Sequence, residues 1–388
     1  ERMGNRPVAA RWGVRLGVTL MELNKPQRAA EAYGRAQQLA RSLNDPMLDQ
    51  RILGGLGVAY TQLDRPADAL ENLMEANEIA KEMGDLPKQA EWLASIGQAL
   101  YRFDQPKDAI AALGESLTIA RRIDDLPMQV DLLTLMGEIF DSAGQLPRSR
   151  ECFHRALDLA RRMNDKTRQI RLNSSLGNVA LRAQQYSQAN ALYSQALQLA
   201  TETGDRLEGA KLHGRLGKVA QQQRDWPNAL EHYYSAVDLA DSIDRPRLTS
   251  QLLVHLAAAH QAMGDPAAAT TYRRALTLAQ QLGDVRREAV VRLNLGILLS
   301  ADGHRNEGLD HLYRAADLVA DMGPAGNDLA ISIEEAIVRA GGSVVASPAD
   351  HDVWDDRQSG VSRGFPGGYE YQPYRDDQFY GEATLPPR

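Results

Sequence analysis

The 388-residue chain is poor in cysteine and aromatic residues, and it lacks any long apolar segment. Its single cysteine, Cys152, excludes an intrachain disulfide and a thiolate metal cluster. We expect this thiol to be a small buried packing group, as free cysteines commonly are. Since no run of about 18 apolar residues occurs, the sequence predicts no membrane insertion.

Strong positive charge is also missing, because the net charge is −7. Nucleic acids and anionic membranes attract densely cationic surfaces, so we expect no nucleic-acid partner. His255 and His260 are five residues apart on one predicted helix, about 140° around its axis, which is a poor arrangement for sharing a metal ion. Gly217-Lys218 does not fit the spacing of a phosphate-binding loop. We therefore predict no metal, no cofactor and no catalytic residues, and hence no enzyme.

What the sequence does contain is an internal repeat with a period of 40 residues. A small residue marks each copy, and the last copy is one residue shorter: Gly17, Gly57, Gly97, Gly137, Gly177, Gly217, Ala257 and Gly296. A second small residue follows 19 residues later, or 18 in the seventh copy: Ala36, Ala76, Ser116, Ala156, Ala196, Ala236, Ala275 and Ala315. Three residues before each of these stands a large one: Tyr33, Leu73, Leu113, Phe153, Tyr193, Tyr233, Tyr272 and Leu312.

Each period is predicted to form two packed helices, because apolar residues within it recur at spacings of three and four. Small residues let the two backbones approach closely, and the large residues fill the adjoining groove. Pro26, Pro66 and Pro106 suit the first turn of the second helix. Between repeats, a C-cap residue is followed by an aspartate N-cap at Asn44-Asp45, Gly84-Asp85, Asp124-Asp125, Asn164-Asp165, Gly204-Asp205 and Gly283-Asp284.

These residues carry a family resemblance. The pattern Leu56-Gly57, Tyr60, Ala69, Leu73, Ala76 resembles the tetratricopeptide repeat. The 40-residue period is similar to that of its long-helix subclass, which occurs in Pins-type scaffolds and bacterial regulatory arrays. The resemblance covers residues 6–323 and implies an all-α, right-handed superhelical solenoid of eight helix-turn-helix repeats. The chain departs from the pattern at Ala180 and Ala220, which replace an aromatic residue, and only Asn178 and Asn294 remain of an asparagine ladder.

The end of the sequence differs from the repeats. Residues 324–340 are predicted to form a terminal helix that caps the last apolar face. Residues 341–388 form an irregular tail rich in aromatic and acidic residues, which are interpreted either as part of a flexible segment or as docking groups. In the second interpretation the tail lies on its own repeats in cis, or on a neighbouring subunit in trans. The candidate docking residues are Trp354, Tyr369, Tyr371, Tyr374, Asp376, Asp377, Phe379 and Tyr380.

The resemblance further implies that first helices line a concave groove. Its inward positions are basic or polar in repeats five and six, at Arg171, Asn178, Arg182, Lys211, Arg215 and Lys218. In repeats three and four they are mostly acidic, at Glu91, Tyr101, Asp131, Glu138 and Asp141. Such a dipolar groove would fix the direction of an extended ligand. The alternative is that these are ordinary solubilising charges.

The predicted function is a scaffold or adaptor that binds a peptide or a partner helix in its groove. Two alternatives stay open: a structural subunit of a larger assembly anchored by the tail, and a regulatory sensor region of a longer signalling protein. The expected partners are proteins or peptides, including the chain's own tail. The scarcity of cysteine is compatible with a cytoplasmic location, which we expect for this chain.

Overall fold

A computed structural model describes residues 6–343 of the chain. The tail residues for which docking is predicted, from Trp354 to Tyr380, lie outside the described residues. Between residues 6 and 343 the secondary structure is entirely helical. The fold is therefore all-α and built of consecutive helix pairs, as the repeat predicts.

The helices form two compact units, the first ending at Leu192 and the second beginning at Tyr193, so that α10 spans the boundary. In unit 1 the helices are α1 Arg6–Glu22, α2 Pro26–Ala40, α3 Pro46–Gln62, α4 Pro66–Glu82, α5 Leu86–Arg102, α6 Pro106–Arg122, α7 Leu126–Ser142, α8 Leu146–Arg162 and α9 Lys166–Arg182. The boundary helix is α10 Tyr186–Thr203. In unit 2 they are α11 Arg206–Gln222, α12 Trp226–Ser242, α13 Pro246–Ala262, α14 Ala267–Gln281, α15 Val285–Ala301, α16 Arg305–Ala320 and α17 Asn327–Arg339, with a 3-10 turn at Gly323–Gly326.

The helix pairs of unit 1 are held together at the predicted glycines. A Cβ atom added to Gly17 would come within 2.5 Å of the Tyr33 ring, and one added to Gly97 within 2.6 Å of Leu113. Real Cβ atoms do not approach other carbon atoms so closely, so any larger residue would push the two helices apart. The close approach inferred from the repeat is confirmed.

Unit 2 uses the same packing rule. A Cβ atom on Gly217 would lie 2.7 Å from the ring of Tyr233. Gly217 is therefore a packing residue inside α11. At the end of the unit, α17 buries Ile333, Ala336 and Ile337 in a cluster with Leu312 of α16. This helix covers the last pair, as the cap predicted from the sequence would.

The connections between repeats follow the predicted chemistry. Asp45, Asp85 and Asp125 each accept a hydrogen bond from the backbone N–H three residues on, at 3.1, 3.2 and 3.0 Å. Each such cap stabilises its helix by about 1 kcal/mol. The residue before each aspartate has a positive φ, as at Gly84, where φ is 68°. The proline at the start of α2, α4 and α6 is also confirmed.

Cys152 is free and buried, as predicted. Burial raises the pKa of its thiol, which keeps the sulfur in its protonated, unreactive form. None of the helices formed by residues 6–343 combines the length and apolar character needed to cross a membrane.

Candidate binding surfaces

The first helices of unit 1 form a continuous wall. Helix α1 contacts α3, and α3 contacts α5, past the second helix that lies between them in sequence. Side chains extend these contacts to α7 and α9, because Tyr101 donates a hydrogen bond to Ser142 at 3.0 Å and Arg182 pairs with Asp141 at 2.7 Å. We call the side formed by α1, α3, α5, α7 and α9 the first-helix wall.

Most of the acidic groove residues predicted from the sequence have a partner on this wall. Glu91 pairs with Lys88 at 2.6 Å, within α5. Asp131 accepts three hydrogen bonds of 3.1–3.2 Å from the guanidinium of Arg168 on α9. These pairs are half-exposed, so each contributes only about 0–1 kcal/mol to stability. These ion pairs neutralise much of the negative charge that the sequence predicts for this part of the groove.

Glu138 differs from the other acidic residues of the wall. It is exposed, and it makes no hydrogen bond or ion pair with residues 6–343. Desolvation by the surrounding protein, and secondly the nearby charge of Asp141, raise the pKa of its carboxyl above the ordinary value. A cation placed beside this carboxylate would favour its charged form and would oppose the repulsion from Asp141.

The predicted basic set is divided between the two units. On α9, Arg171 is exposed and has no partner among the described residues, Asn178 is half-buried, and Arg182 is bound to Asp141. The Asp141–Arg182 pair joins one member of the acidic set to one of the basic set, so the groove charges are less segregated than expected. On α11 of unit 2, Lys211 pairs with Glu208 at 2.7 Å, Arg215 is buried and Lys218 is half-buried.

Sequence reasoning missed Arg168 and Ser142, which hold the wall together. The signal is a spacing close to one period: Asp131 and Arg168 are 37 residues apart, and Tyr101 and Ser142 are 41 apart. Such residues lie on successive first helices at nearly the same height. Scanning the period for complementary polar groups would have found both pairs.

Unit 2 contains three side chains joined by two hydrogen bonds around a buried histidine, which no sequence motif indicated. We call this group, Tyr234, His260 and Asp265, the relay. The side chain of His260, which is 3% exposed, lies between the hydroxyl of Tyr234 and the carboxylate of Asp265, each at 2.8 Å. The carboxylate accepts a hydrogen bond from Nδ1–H, and in this tautomer of the neutral imidazole Nε2 accepts a hydrogen bond from the tyrosine hydroxyl. The backbone N–H of Ala267 and then His260 lower the pKa of Asp265. The relay links α12, α13 and the loop before α14.

Two further histidine contacts lie in unit 2. The Nδ1 atoms of His213 and His232 are 3.2 Å apart, and burial lowers the pKa of both imidazoles. His311 faces Arg292, and its pKa is lowered by burial and then by this guanidinium. Within residues 6–343 no three histidine, cysteine or carboxylate side chains form a cluster that could hold a metal ion.

A shallow cleft of about 400 Å³ lies among α12, α13 and α14. Two of the charged groups that line it already bind each other, because Asp241 pairs with Arg274 at 2.6 Å, and Asp241 also accepts a hydrogen bond from Thr249 at 2.8 Å. A ligand would have to break these bonds. The cleft is therefore a weaker candidate site than the first-helix wall.

Comparison with known proteins agrees with this architecture. Two tetratricopeptide-repeat sequence profiles match the chain, one at residues 48–122 and 168–242 and the other at 14–76. Residues 14–122 and 168–242 of this chain thus consist of tetratricopeptide repeats. A sequence search among curated proteins finds no significant match.

Several solved structures share the fold. One is a Signal Transduction ATPase with Numerous Domains from Pyrococcus horikoshii with a tetratricopeptide-repeat sensor, at 17% identity and a TM-score of 0.59 over 69% of this chain. This chain spans only 40% of that protein's length. A second is the apo form of RapI, which is 13% identical with a TM-score of 0.60; the match covers 86% of this chain and 99% of RapI. A third is the apo form of the quorum sensor NprR from B. thuringiensis, which is 15% identical with a TM-score of 0.56; the match covers 80% of this chain and 87% of NprR. At these identities the likeness establishes the fold alone.

Proposed function

We propose that this chain is a scaffold or adaptor that binds an extended peptide or a partner helix along the first-helix wall of unit 1. The observation that carries the proposal is the exposure of Glu138 and Arg171, two oppositely charged side chains without partners among residues 6–343. They are on neighbouring first helices, α7 and α9, while most charges around them are paired.

The proposed ligand is a segment with both charges. A lysine or arginine of the ligand would meet Glu138, where it would offset the desolvation and the negative charge of Asp141 that raise the pKa of this carboxyl. A carboxylate of the ligand would meet Arg171, which can bind it through two parallel hydrogen bonds. Because the two sites carry opposite charge, a reversed ligand would meet like charges, so the wall would select one chain direction.

The rest of the proposal follows from this role. We assign residues 6–323 to eight repeats, 324–340 to a terminal cap and 341–388 to a tail, which is one candidate occupant of the wall. No catalytic role is proposed. The descriptions of related structures as a sensor of a signalling ATPase and as a quorum sensor support a second candidate, a regulatory sensor region in which ligand binding changes another part of a longer protein.

The proposal can be tested by selecting, from a library of charged peptides, those that bind the full chain and by measuring their affinities. We expect bound peptides to share a basic and an acidic residue in a fixed order. Glu138→Gln and Arg171→Gln should each weaken binding about 10- to 150-fold, since a charge-assisted hydrogen bond is worth roughly 1.5–3 kcal/mol. Matched controls are Glu71→Gln on α4 and Arg150→Gln on α8, which are exposed and unpaired among the described residues but lie on second helices.

Equal losses in the control variants would show that binding is not localised to the wall and would contradict the proposal. The same measurement on a chain ending at Ser343 examines the tail. Stronger binding without the tail would support its role as an occupant of the wall. Unchanged binding would separate the tail from the peptide site.

A further inference from the structure

A row of exposed apolar residues lies on α1. Trp12 is 61% exposed, Leu16 54% and Val8 51%. Their spacing of four residues puts them on one face of the helix. A contiguous apolar stripe of this kind marks an interaction surface more often than a scattered exposed residue does.

The repeat register identifies what this face does elsewhere in the molecule. In other first helices the residue equivalent to Leu16 is buried, as for Leu56 and Ile96 at 4% and 6% exposure. The residue equivalent to Trp12 on α5 is also a tryptophan, Trp92, which is 6% exposed and packs on Gly54 of α3. The α1 face is thus the face by which a repeat joins the one before it, and on α1 no residue between 6 and 343 covers it.

The other end of the described chain is also open. Helix α17 buries one face against α15 and α16, and its opposite face exposes Ile331 at 59% and Val338 at 62%. These two residues are seven apart and therefore share a face, with the exposed Glu334 and Glu335 between them. Half of the 14 large exposed apolar residues lie on or directly after α1 or on α17: Val8, Trp12, Leu16, Val18, Leu23, Ile331 and Val338.

The two end faces are complementary in charge. The stripe on α1 is flanked by the exposed Arg11 and Arg15, and the guanidinium of Arg15 lies 5.3 Å from the centre of the Trp12 ring. The exposed face of α17 carries Glu334 and Glu335 between Ile331 and Val338; Glu335 lies 3.6 Å from Arg339, whereas Glu334 has no partner among the described residues. Two copies of α1 facing each other would bring arginines together, whereas α17 against α1 brings arginines to glutamates.

We propose that copies of this chain associate head to tail, with the exposed face of α17 of one copy packed on the exposed face of α1 of the next. The contact continues the repeat-to-repeat packing from one molecule into another. Because the two surfaces differ, the association is heterologous and forms a ring or an open chain of copies, unlike a two-fold dimer. This inference is independent of the proposed peptide site on the first-helix wall.

The test is the mass of the full chain in solution, measured by light scattering and sedimentation over a wide range of concentration. We expect species larger than a dimer to grow with concentration and to dissociate as salt is added. Trp12→Glu and Ile331→Glu should each abolish growth, and Met74→Glu, at an exposed apolar residue on α4, should leave it unchanged. All substituted positions are exposed, so each variant should fold, and circular dichroism is the check that it does.

Mixing the two defective variants gives the decisive result. The Trp12→Glu copy keeps an intact α17 and the Ile331→Glu copy keeps an intact α1, so the mixture should form a one-to-one dimer and nothing larger. Glu334→Lys should weaken assembly, and Arg15→Glu in the same chain should restore it. A wild-type chain that is monomeric at every concentration would overturn the proposal. So would an assembly that Trp12→Glu abolishes and Ile331→Glu leaves intact, which would indicate α1 against α1 or a different partner.

Discussion

Units 1 and 2 are built from the same repeat, yet they treat polar groups differently. On the first helices of unit 1 the position six before the packing glycine is exposed and charged, as at Arg51, Asp131 and Arg171. In unit 2 the equivalent Gln251 is buried, as is His255 four residues later on the same helix. The same register position therefore carries an exposed charge in these repeats of unit 1 and a buried amide on α13. The buried arginines and histidines of the described residues all lie in unit 2.

This difference between exposed and buried polar groups determines how much each group contributes to stability. An ion pair on an exposed wall gains little, because water competes for both charges. A buried polar group depends on its partner, because loss of the partner leaves it without water and without a hydrogen bond. In unit 1 the exposed, unpaired Glu138 and Arg171 are thus available for binding, whereas the nearly buried Arg292 and Glu288 of unit 2 are committed to structure.

The largest expected effect contrasts one ion pair from each unit. Arg292 and Glu288 of unit 2 are joined at 2.7 Å, with side chains 7% and 16% exposed. Glu288→Gln leaves the guanidinium nearly buried beside a neutral amide and should lower the free energy of unfolding by about 3 kcal/mol. Asp131→Asn, at the half-exposed pair of unit 1, should lower it by about 0–1 kcal/mol. Urea denaturation of each variant measures both values.

Removing both buried partners of unit 2 controls this comparison. Glu288→Gln combined with Arg292→Met should be less destabilising than the sum of the single changes, because no charge is left unpaired. Equal losses at the pairs of units 1 and 2 would contradict the division between a binding surface and a structural interior.

The second prediction concerns what the units share. Gly97→Ala in unit 1 and Gly217→Ala in unit 2 should each cost about 1–3 kcal/mol, because the added methyl group meets Leu113 or Tyr233 at 2.6–2.7 Å. Gly114→Ala is the control, since Gly114 lies in a helix with nothing within 4 Å of an added Cβ atom, and it should stabilise by about 1 kcal/mol. Thermal unfolding distinguishes the signs. A stabilising effect at Gly97 would show that the helix pairs are not close-packed there.

Much of the fold was predictable because it rests on local signals that recur. Gly57, Asp85 and Pro106 each act within one helix or one turn, and the 40-residue period repeats their meaning. Some turns were missed: Asp64 and Arg224 have a positive φ between the helices of a pair, a conformation more usual for glycine. There the geometry of the hairpin overrides local preference.

The site was less predictable because charge pairing depends on distances between repeats. Arg182 and Asp141 were assigned to opposite ends of a dipole, whereas the packing of α9 against α7 joins them at 2.7 Å. The partners of His260 come from another helix and a loop, so no spacing within α13 reveals them. The sequence also cannot distinguish Trp12 from Trp92, which share a register position but differ in what covers them.

The third prediction tests the relay of unit 2 against an exposed hydrogen bond of unit 1. Tyr234→Phe removes the hydroxyl that donates to the buried Nε2 of His260 and should cost about 1–2 kcal/mol. Tyr101→Phe removes the bond to Ser142 on the exposed wall and should change stability by less than about 0.5 kcal/mol. Equilibrium unfolding of the two variants is the measurement. A loss at Tyr234 no larger than that at Tyr101 would mean that the relay adds nothing to stability.

The last and smallest effect is a difference in acid sensitivity. Burial lowers the pKa of His213 and His232 below the ordinary value of 6.5, and His232 lowers that of His213 further, against an opposing effect of Glu231. As pH falls through 6.5 the unfolded chain therefore binds more protons than the native one, and unit 2 loses stability. In unit 1 the raised pKa of Glu138 has the opposite effect: as pH falls towards the ordinary glutamate pKa, the native chain binds more protons than the unfolded one, and stability rises.

Hydrogen exchange just above and just below pH 6.5 should show faster opening of α11 and α12 on acidification, with little change in α3 to α8. His213→Gln should reduce the faster opening on acidification, whereas the control His154→Gln, on the exposed side of α8, should not. An equal increase in opening in units 1 and 2 would assign the acid sensitivity to another group.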